Sequence, residues 1–453
     1  MDFGTTNIRK LFSSYFFPTL LGMVFNMAFL ITDGIFVGHG IGPHGLAAVN
    51  LVAPIMMLIN GLGMMLGMGA SVIAAIHLSR GEGAEARYTT TVAFAAGVGL
   101  SLLMGVVCYA FPEGILGMLG AQGSQYAPTY EYYMWFIPTC LLIMVESIGL
   151  FVIRLDGSPR YAMLANMIPA LVNIAFDYIF IIPCGWGLMG ASLATDLGGL
   201  VATVMVAYYM FFKADKLRIA DRRSCEDRQR MHRDGKSLWQ CLVAIVRSGA
   251  TGLLGELSVS VLMLTGNLMF LHYLGNDGIA AYSVACYLFP LLYMVFSAVA
   301  QSAQPIISYN HGCGASGRVK EMLVFSIRVS LLMGLVGSVL LMLLARPVVG
   351  IFLNTDAEAY RIAAEGIPYY AVGFLFMSFN ICIIGYLQSI EHARAAVVYA
   401  LLRGVVLLVA AFVLLPAAIG TVGLWLAIPT AEMITAACIG TNTLLITRRG
   451  RKA

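Results

Sequence analysis

Charged residues are scarce in this sequence. Asp, Glu, Lys and Arg make up only 11% of its 453 residues, whereas hydrophobic residues make up 60%. A soluble globular protein has about 25% charged and about 45–50% apolar residues, so this chain has too little polar surface to face water on all sides. The composition excludes a soluble domain, and the net charge of +4 gives no reason to expect a nucleic-acid partner.

The motifs of common enzymes and of ATPases are also missing. Gly235-Lys236-Ser237 resembles the end of a phosphate-binding loop, but Arg230 occupies the position of its leading glycine. The zinc motif HExxH does not occur, and the nine cysteines are scattered singly, with no CxxC pair. We therefore expect a protein that is not an enzyme, has no cofactor or metal centre, and draws energy from an ion gradient.

Long apolar runs are what the sequence does contain. Only helices and closed barrels can span a bilayer, because every backbone amide there needs an internal partner, and continuous runs of about 20 residues favour helices. The sequence predicts an all-α membrane protein with twelve transmembrane helices, at about 11–37, 46–78, 89–112, 128–153, 161–182, 188–212, 240–272, 278–309, 321–345, 362–387, 395–415 and 421–446.

The basic residues indicate how these helices are oriented. With the N-terminus inside the cell, 22 of the 27 Lys and Arg residues fall in cytoplasmic segments. Such an excess is typical of the cytoplasmic side of membrane proteins. We therefore expect a multi-pass protein of the cell (plasma or inner) membrane with both termini in the cytoplasm.

The two halves of the chain resemble each other. The predicted division is an N-terminal six-helix lobe at 1–212, a basic cytoplasmic linker at 213–237 and a C-terminal six-helix lobe at 238–453. Four matches recur in the same order and at a nearly constant interval, namely Gly45 with Gly278, Gly81 with Gly312, Arg160 with Arg394 and Gly190 with Gly423. Two pseudo-symmetric parallel repeats with a cavity between them are typical of transporters.

Carboxyl groups inside the predicted helices are candidates for function. A charged group at mid-membrane costs about 2.5–3.5 kcal/mol, so each requires a reason, either a functional one or a structural ion pair. Asn173 and Asp177 lie four residues apart on one helix face, and Asp33 lies in the first helix. Such an oxygen-rich site suits a proton or a hard monovalent cation. The other acids within helices are Glu146, Asp196, Glu256 and Glu432.

Four segments of the sequence resemble one family of transporters. They are Thr32-Asp33-Gly34-Ile35-Phe36-Val37-Gly38, Leu46-Ala47-Ala48-Val49-Asn50, Asp156-Gly157-Ser158-Pro159-Arg160 and Asn173-Ile174-Ala175-Phe176-Asp177. With them, nearly the whole chain resembles the MATE (multidrug and toxic compound extrusion) family. Within it, the chain is most similar to the branch named for DNA-damage-inducible protein F (DinF-like).

This resemblance implies both a function and a site. The function is export of cationic or amphipathic drugs and other organic compounds in exchange for H⁺ or Na⁺. The implied proton- or cation-coupling site, which would also be the Na⁺ site, consists of Asp33, Asn173, Asp177 and Thr195. Pro18 matches the proline at which the first helix bends in that branch.

Three further acids are secondary candidates for the site, namely Glu256, Asp196 and Glu146. Glu256 resembles a second-lobe glutamate of another branch, typified by norfloxacin pumps. The partner aspartate of that branch is missing here, since Asn380 and neutral residues occupy the region.

Other readings of the sequence stay open. A flippase for lipid-linked or anionic amphiphiles would need basic residues in its cavity, and only Arg247, Arg328 and Arg403 lie within predicted helices. A membrane receptor or scaffold would leave the repeat and the buried acids unexplained. The sequence does not choose between H⁺ and Na⁺. We expect a monomer whose partners are its small-molecule substrates and the lipid bilayer.

Overall fold

The computed structural model describes residues 3–219 and 238–450, and every regular element in these ranges is a helix. The predicted linker at 213–237 therefore lies outside the described residues from position 220 onward. The first half of the chain forms α1 (Ile8–Gly40), α2 (Pro43–Ser79), α3 (Gly83–Ala110), α4 (Pro112–Met118), α5 (Tyr126–Phe136), α6 (Thr139–Leu155), α7 (Pro159–Ile181) and α8 (Gly187–Tyr208).

The second half repeats this order of long and short helices. It forms α9 (Leu238–Gly312), α10 (Ser316–Leu343), α11 (Ala345–Phe352), α12 (Glu358–Ala371), α13 (Gly373–Ser389), α14 (Ala393–Leu401), α15 (Leu407–Ile419) and α16 (Val422–Gly450). Short π-helical turns follow α8 at Tyr209–Lys213 and α14 at Leu402–Val406.

The number of membrane spans agrees with the prediction. Within the described residues, nine helices are long and apolar enough to cross a membrane, and two bent pairs, α5 with α6 and α12 with α13, bring the number to eleven. The 75-residue α9 is broken at Gly275, whose φ of 65° and ψ of −152° are not helical. Since this break separates two spans, the total is twelve. The all-α fold with twelve transmembrane helices is confirmed.

The boundaries of the helices reveal the repeat more sharply than the sequence does. Helices α3 and α10 have the same length, 28 residues each, so one interval along the chain separates both pairs of ends. Gly81 and Gly314, which have φ values of 79° and 72°, end the turns that precede these two helices, and the same interval separates them. The structure thus pairs Gly81 with Gly314 rather than with Gly312, and the register of the two halves is nearly constant.

One turn in the first half is fixed by a buried carboxylate. Asp156 follows α6, and its side chain accepts hydrogen bonds from the backbone N–H groups of Asp215, Lys216 and Leu217 at 2.8–3.0 Å. The hydroxyl of Tyr209 lies 2.8 Å from the same carboxylate. Asp156 therefore anchors the chain that leaves α8 to the turn between α6 and α7.

The described chain forms two compact units. The first is Met1–Glu256 with Ser308–Ser316, and the second is Leu257–Ile307 with Gly317–Ala453. The core of the first unit is mainly aliphatic, with Ile59 and Ile148 fully buried, whereas the second contains an aromatic cluster around Phe270 and Trp425. The predicted boundaries at 212 and 238 stay a prediction.

Large apolar side chains also cover the outside of both units. Val106 on α3 and Leu343 on α10 are 66% and 75% exposed. A soluble protein rarely exposes wide apolar patches, whereas a protein in a bilayer places such residues against lipid tails. The exposed surface is therefore that of a membrane protein.

Candidate functional site

The predicted coupling residues meet where α1, α7 and α8 pack together in the first unit. Asp33 comes from α1, Asn173 and Asp177 from α7, and Thr195 from α8. Asp33, Asn173 and Asp177 are buried, with 8%, 3% and 0% of their surface exposed. The carboxyl groups of Asp33 and Asp177 lie within hydrogen-bonding reach of each other.

The hydrogen bonds of the cluster leave several oxygen atoms without a donor. The amide nitrogen of Asn173 donates to Thr195 Oγ1 at 3.3 Å, and Thr195 donates to the carbonyl of Ala191 at 3.1 Å. Among the described residues, no donor reaches the side-chain carbonyl oxygen of Asn173 or either oxygen of Asp177. Buried acceptors normally have partners. A group of acceptors of this kind can be satisfied by a proton on one carboxyl group or by a small cation.

Close helix packing brings Asn173 to this position. Gly198 on α8 faces α7, and a methyl group added at Gly198 would lie 3.0 Å from the carbonyl oxygen of Pro169 and 3.2 Å from Cβ of Asn173. A methyl group at this position would require α7 or α8 to shift by a few tenths of an ångström. Gly198 is therefore part of the framework of the site, although the sequence analysis did not single it out.

Tyr132 on α5 is a second residue that the sequence analysis missed. It is 5% exposed, and its phenol interacts electrostatically with the carboxyl groups of Asp33, Asp177 and Asp196. Ser192 on α8 donates to the backbone carbonyl of Tyr132 at 3.1 Å and so fixes α5 against α8. A tyrosine among the aromatic residues of Tyr126–Phe136 carries no distinguishing signal in the sequence.

The three secondary candidates take different places in the first unit. Asp196 accepts a hydrogen bond from the hydroxyl of Thr139 on α6 and interacts electrostatically with Tyr132. Glu256 on α9 bonds to the side chain of Asn60 on α2, which in turn accepts a hydrogen bond from Ser147 at 3.1 Å. Glu256 thus belongs to another network. Glu146 lies next to Ser147 on α6.

Pro18 lies inside α1, which continues without interruption from Ile8 to Gly40. Between Pro18 and Asp33, the amide nitrogen of Asn26 contacts the amide oxygen of Asn166 on α7 at 3.4 Å. Helix α1 is therefore tied to α7 at two levels, by an amide pair and by a carboxyl pair. The predicted hinge stays a prediction.

Twelve apolar helices in two repeats, with a buried cluster of acceptor groups, define a polytopic α-helical membrane transporter. Comparison with known proteins identifies the family. The MatE family profile matches residues 18–179 and 253–413, and the chain belongs to the MATE family of transporters. This confirms the family that the four sequence segments indicated.

Individual relatives are distant in sequence but extend over the whole chain. "Multidrug export protein MepA" of Staphylococcus aureus (strain MRSA252) is 22% identical over 413 residues, which are 91% of this chain and 88% of that protein. The protein of the same name from Staphylococcus saprophyticus is 23% identical over 413 residues, with the same shares of the two chains.

Solved structures share the fold. An outward-facing multidrug resistance MATE family transporter of the MOP superfamily superposes with a TM-score of 0.89 at 22% identity, over 99% of this chain and 98% of that chain. A MOP superfamily transporter from Pyrococcus furiosus, described as having a binding pocket of reversed polarity, gives a TM-score of 0.86 at 23% identity, over 96% and 94% of the chains.

Proposed function

We propose that this protein is a secondary antiporter that exports cationic or amphipathic organic molecules in exchange for H⁺ or Na⁺. Membership of the MATE family supports transport, and the names of the staphylococcal relatives support multidrug export. The proposed setting is the cell membrane, with a monomer whose two termini lie in the cytoplasm.

The observation that carries the proposal is the contact between the carboxyl groups of Asp33 and Asp177. Two ionised carboxylates at this separation repel each other, and the repulsion is strong because both are buried. A proton shared between them, or a cation bound by their oxygens, removes the repulsion. Binding of an external ion between Asp33 and Asp177 would therefore decide whether α1 stays close to α7 at these residues.

Coupling follows from this dependence. When the ion is bound, Asp33 is held against Asp177, whereas ion release leaves two charges that favour separation of α1 from α7. If one arrangement binds the organic substrate better than the other, the ion gradient drives export by shifting their populations. The oxygens of Asp33, Asp177, Asn173 and Thr195 suit Na⁺ and H⁺ alike.

One of the three arginines that a flippase could use to bind phosphate, Arg403, is already paired. Arg403 donates its guanidinium hydrogen bonds to Glu432, so its charge is already compensated. Binding of a phosphate would then rest on Arg247 and Arg328. The acidic first-unit site favours a cationic cargo.

The experiment is efflux of a fluorescent organic cation from proteoliposomes under a pH gradient or a Na⁺ gradient imposed separately. We expect one of the two gradients to drive efflux by the wild type and by Glu113→Gln, an exposed carboxyl control on α4. The double variant Asp33→Asn/Asp177→Asn should lose gradient-driven efflux. Undiminished efflux by that variant would contradict the proposed site, and transfer of a labelled anionic lipid instead of the dye would favour the flippase.

A further inference from the structure

A hydrogen-bonded charge pair is buried in the second unit. Arg403 lies 8% exposed and Glu432 on α16 only 3% exposed. The guanidinium Nε of Arg403 donates to both carboxylate oxygens of Glu432, at 3.0 and 3.1 Å, and Nη2 donates to Oε1. Both groups are therefore withdrawn from solvent and compensate each other's charge.

An amide completes this arrangement. Asn380 on α13 is fully buried, and its side-chain nitrogen donates to Glu432 Oε2 at 2.7 Å and to the Glu432 backbone carbonyl at 2.8 Å. Among the described residues, no donor reaches the side-chain oxygen of Asn380. Asn380 therefore orients the carboxylate of Glu432, whereas Arg403 does not donate to the amide oxygen of Asn380.

The helices that carry the pair are the repeat counterparts of the helices that carry the first-unit site. With the interval that separates α3 from α10, α7 corresponds to the segment from α14 to α15, and α8 corresponds to α16. Arg403 lies on the π-helical turn Leu402–Val406 between α14 and α15. Such turns are rare and occur frequently at functional sites.

We propose that the carboxylate of Glu432, oriented by Asn380, forms a second cation site, and that its permanent occupant is the guanidinium group of Arg403. The proposal rests on the proposed function in one respect, because it confines exchange of the coupling ion to the first unit. The second unit supplies its own cation covalently and has none to release. Removal of the Arg403 side chain should expose a site that accepts a cation from solution.

A purely structural ion pair would behave differently in one measurable way. Loss of Arg403 would leave Glu432 charged and buried, which is destabilising in either case. If the pair only fills space and satisfies hydrogen bonds, a small cation in solution cannot replace the lost side chain. If the carboxylate of Glu432 forms a cation site, the cation restores stability by binding to the folded state.

The experiment is chemical rescue of Arg403→Ala. We expect the purified variant to unfold at a lower temperature than the wild type, and guanidinium or methylguanidinium, far below denaturing concentration, to raise its Tm in a saturable manner. Urea at equal concentration should not raise the Tm, and neither compound should raise that of the wild type. An equal response to urea and guanidinium, or no response at all, would overturn the proposal.

The double variant Arg403→Ala/Glu432→Gln is the matched control. It leaves no charge unpaired, so we expect it to fold and to show no saturable response to guanidinium. If Arg403→Ala folds only when guanidinium is present during purification, the proposal is supported. If it fails to fold with and without guanidinium although the double variant folds, the proposal is overturned. Because Tm is read without transport, this test is independent of the proposed antiport. If the efflux experiment shows no antiport but guanidinium rescues Arg403→Ala, the cation site in the second unit is supported, and only the proposal that ion exchange is confined to the first unit is contradicted.

Discussion

The two units place different groups on corresponding helices. In the first unit, α1 and α7 hold two carboxyl groups against each other, and no described donor reaches the oxygens of Asp177. In the second unit, α16, the counterpart of α8, holds Glu432, whose oxygens receive hydrogen bonds from Arg403, on the counterpart of α7, and from Asn380 on α13. The same framework therefore supports one carboxyl group that needs an external partner and one that does not.

Asp156 extends this comparison to a third carboxylate. It receives three backbone N–H groups, and the hydroxyl of Tyr209 lies beside it, so the chain itself supplies its partners, as with Glu432. A buried carboxylate that the chain satisfies contributes to stability, whereas one left without donors costs stability and is retained for another reason. Substitution of Asp156 or Glu432 should therefore lower stability, whereas substitution of Asp177 should lower transport.

The largest effect is expected at Glu432. Glu432→Gln leaves the guanidinium of Arg403 buried without its counter-charge, and breaking a buried pair in this way costs about 3–5 kcal/mol. Unfolding in detergent should show this loss. The double variant Arg403→Met/Glu432→Met removes both charges and should be close to the wild type in stability. A single variant as stable as the wild type would show that the unpaired guanidinium is not destabilising at this position.

A smaller loss of stability is expected at Asp156. Asp156→Ala removes the acceptor of the N–H groups of residues 215–217 and should lower the unfolding free energy by about 1.5–3 kcal/mol. Asp215→Ala is the control, since the Asp215 side chain is exposed. The ion dependence of transport should not change in either variant. If Asp156→Ala changed which ion drives transport, Asp156 would have a role in ion coupling, as proposed for Asp177, and not only a structural role.

The opposite pattern is expected at Asp177. Asp177→Asn removes a buried carboxyl group that receives no hydrogen bond from the residues that the structure describes. The stability of the variant should therefore be equal to or above that of the wild type. The initial rate of gradient-driven efflux should fall at least about tenfold, which corresponds to about 1.4 kcal/mol. Paired efflux and unfolding measurements on one preparation check both parts. Reduced stability with normal efflux would reverse the assignment.

The smallest effect is expected from a change in helix spacing. Gly198→Ala places a methyl group 3.0–3.2 Å from Pro169 and Asn173, which should cost about 1 kcal/mol and displace Asn173 slightly. The apparent affinity for the coupling ion should fall a few-fold, while the choice of ion stays the same. Gly99→Ala is the control, because open space surrounds that glycine. Equal ion affinity in Gly198→Ala and Gly99→Ala would show that Gly198 does not help to position the site.

The sequence was sufficient for the fold because membrane spans depend on apolar length alone. It also pointed to Asp33 and Asp177 among six carboxyl groups within predicted helices, by the spacing of Asn173 and Asp177 and by the family resemblance; their role stays a prediction. The sequence could not predict the pairing of Arg403 with Glu432, because the contact depends on how α16 is rotated about its axis. Tyr132 and Gly198 were missed for a similar reason, since their importance lies in what they face. The role of Asp156 depends on a loop that comes back to it from 59 residues further along the chain.

Pro18 and Asp33 lie fifteen residues apart on the uninterrupted helix α1. At about 1.5 Å per residue, this distance is a rigid arm of about 22 Å. A change of direction of about 10° at the proline would swing the far end by about 4 Å, more than the length of a hydrogen bond. An angular change of about 10° at Pro18 is therefore large enough to separate the acid from its partner.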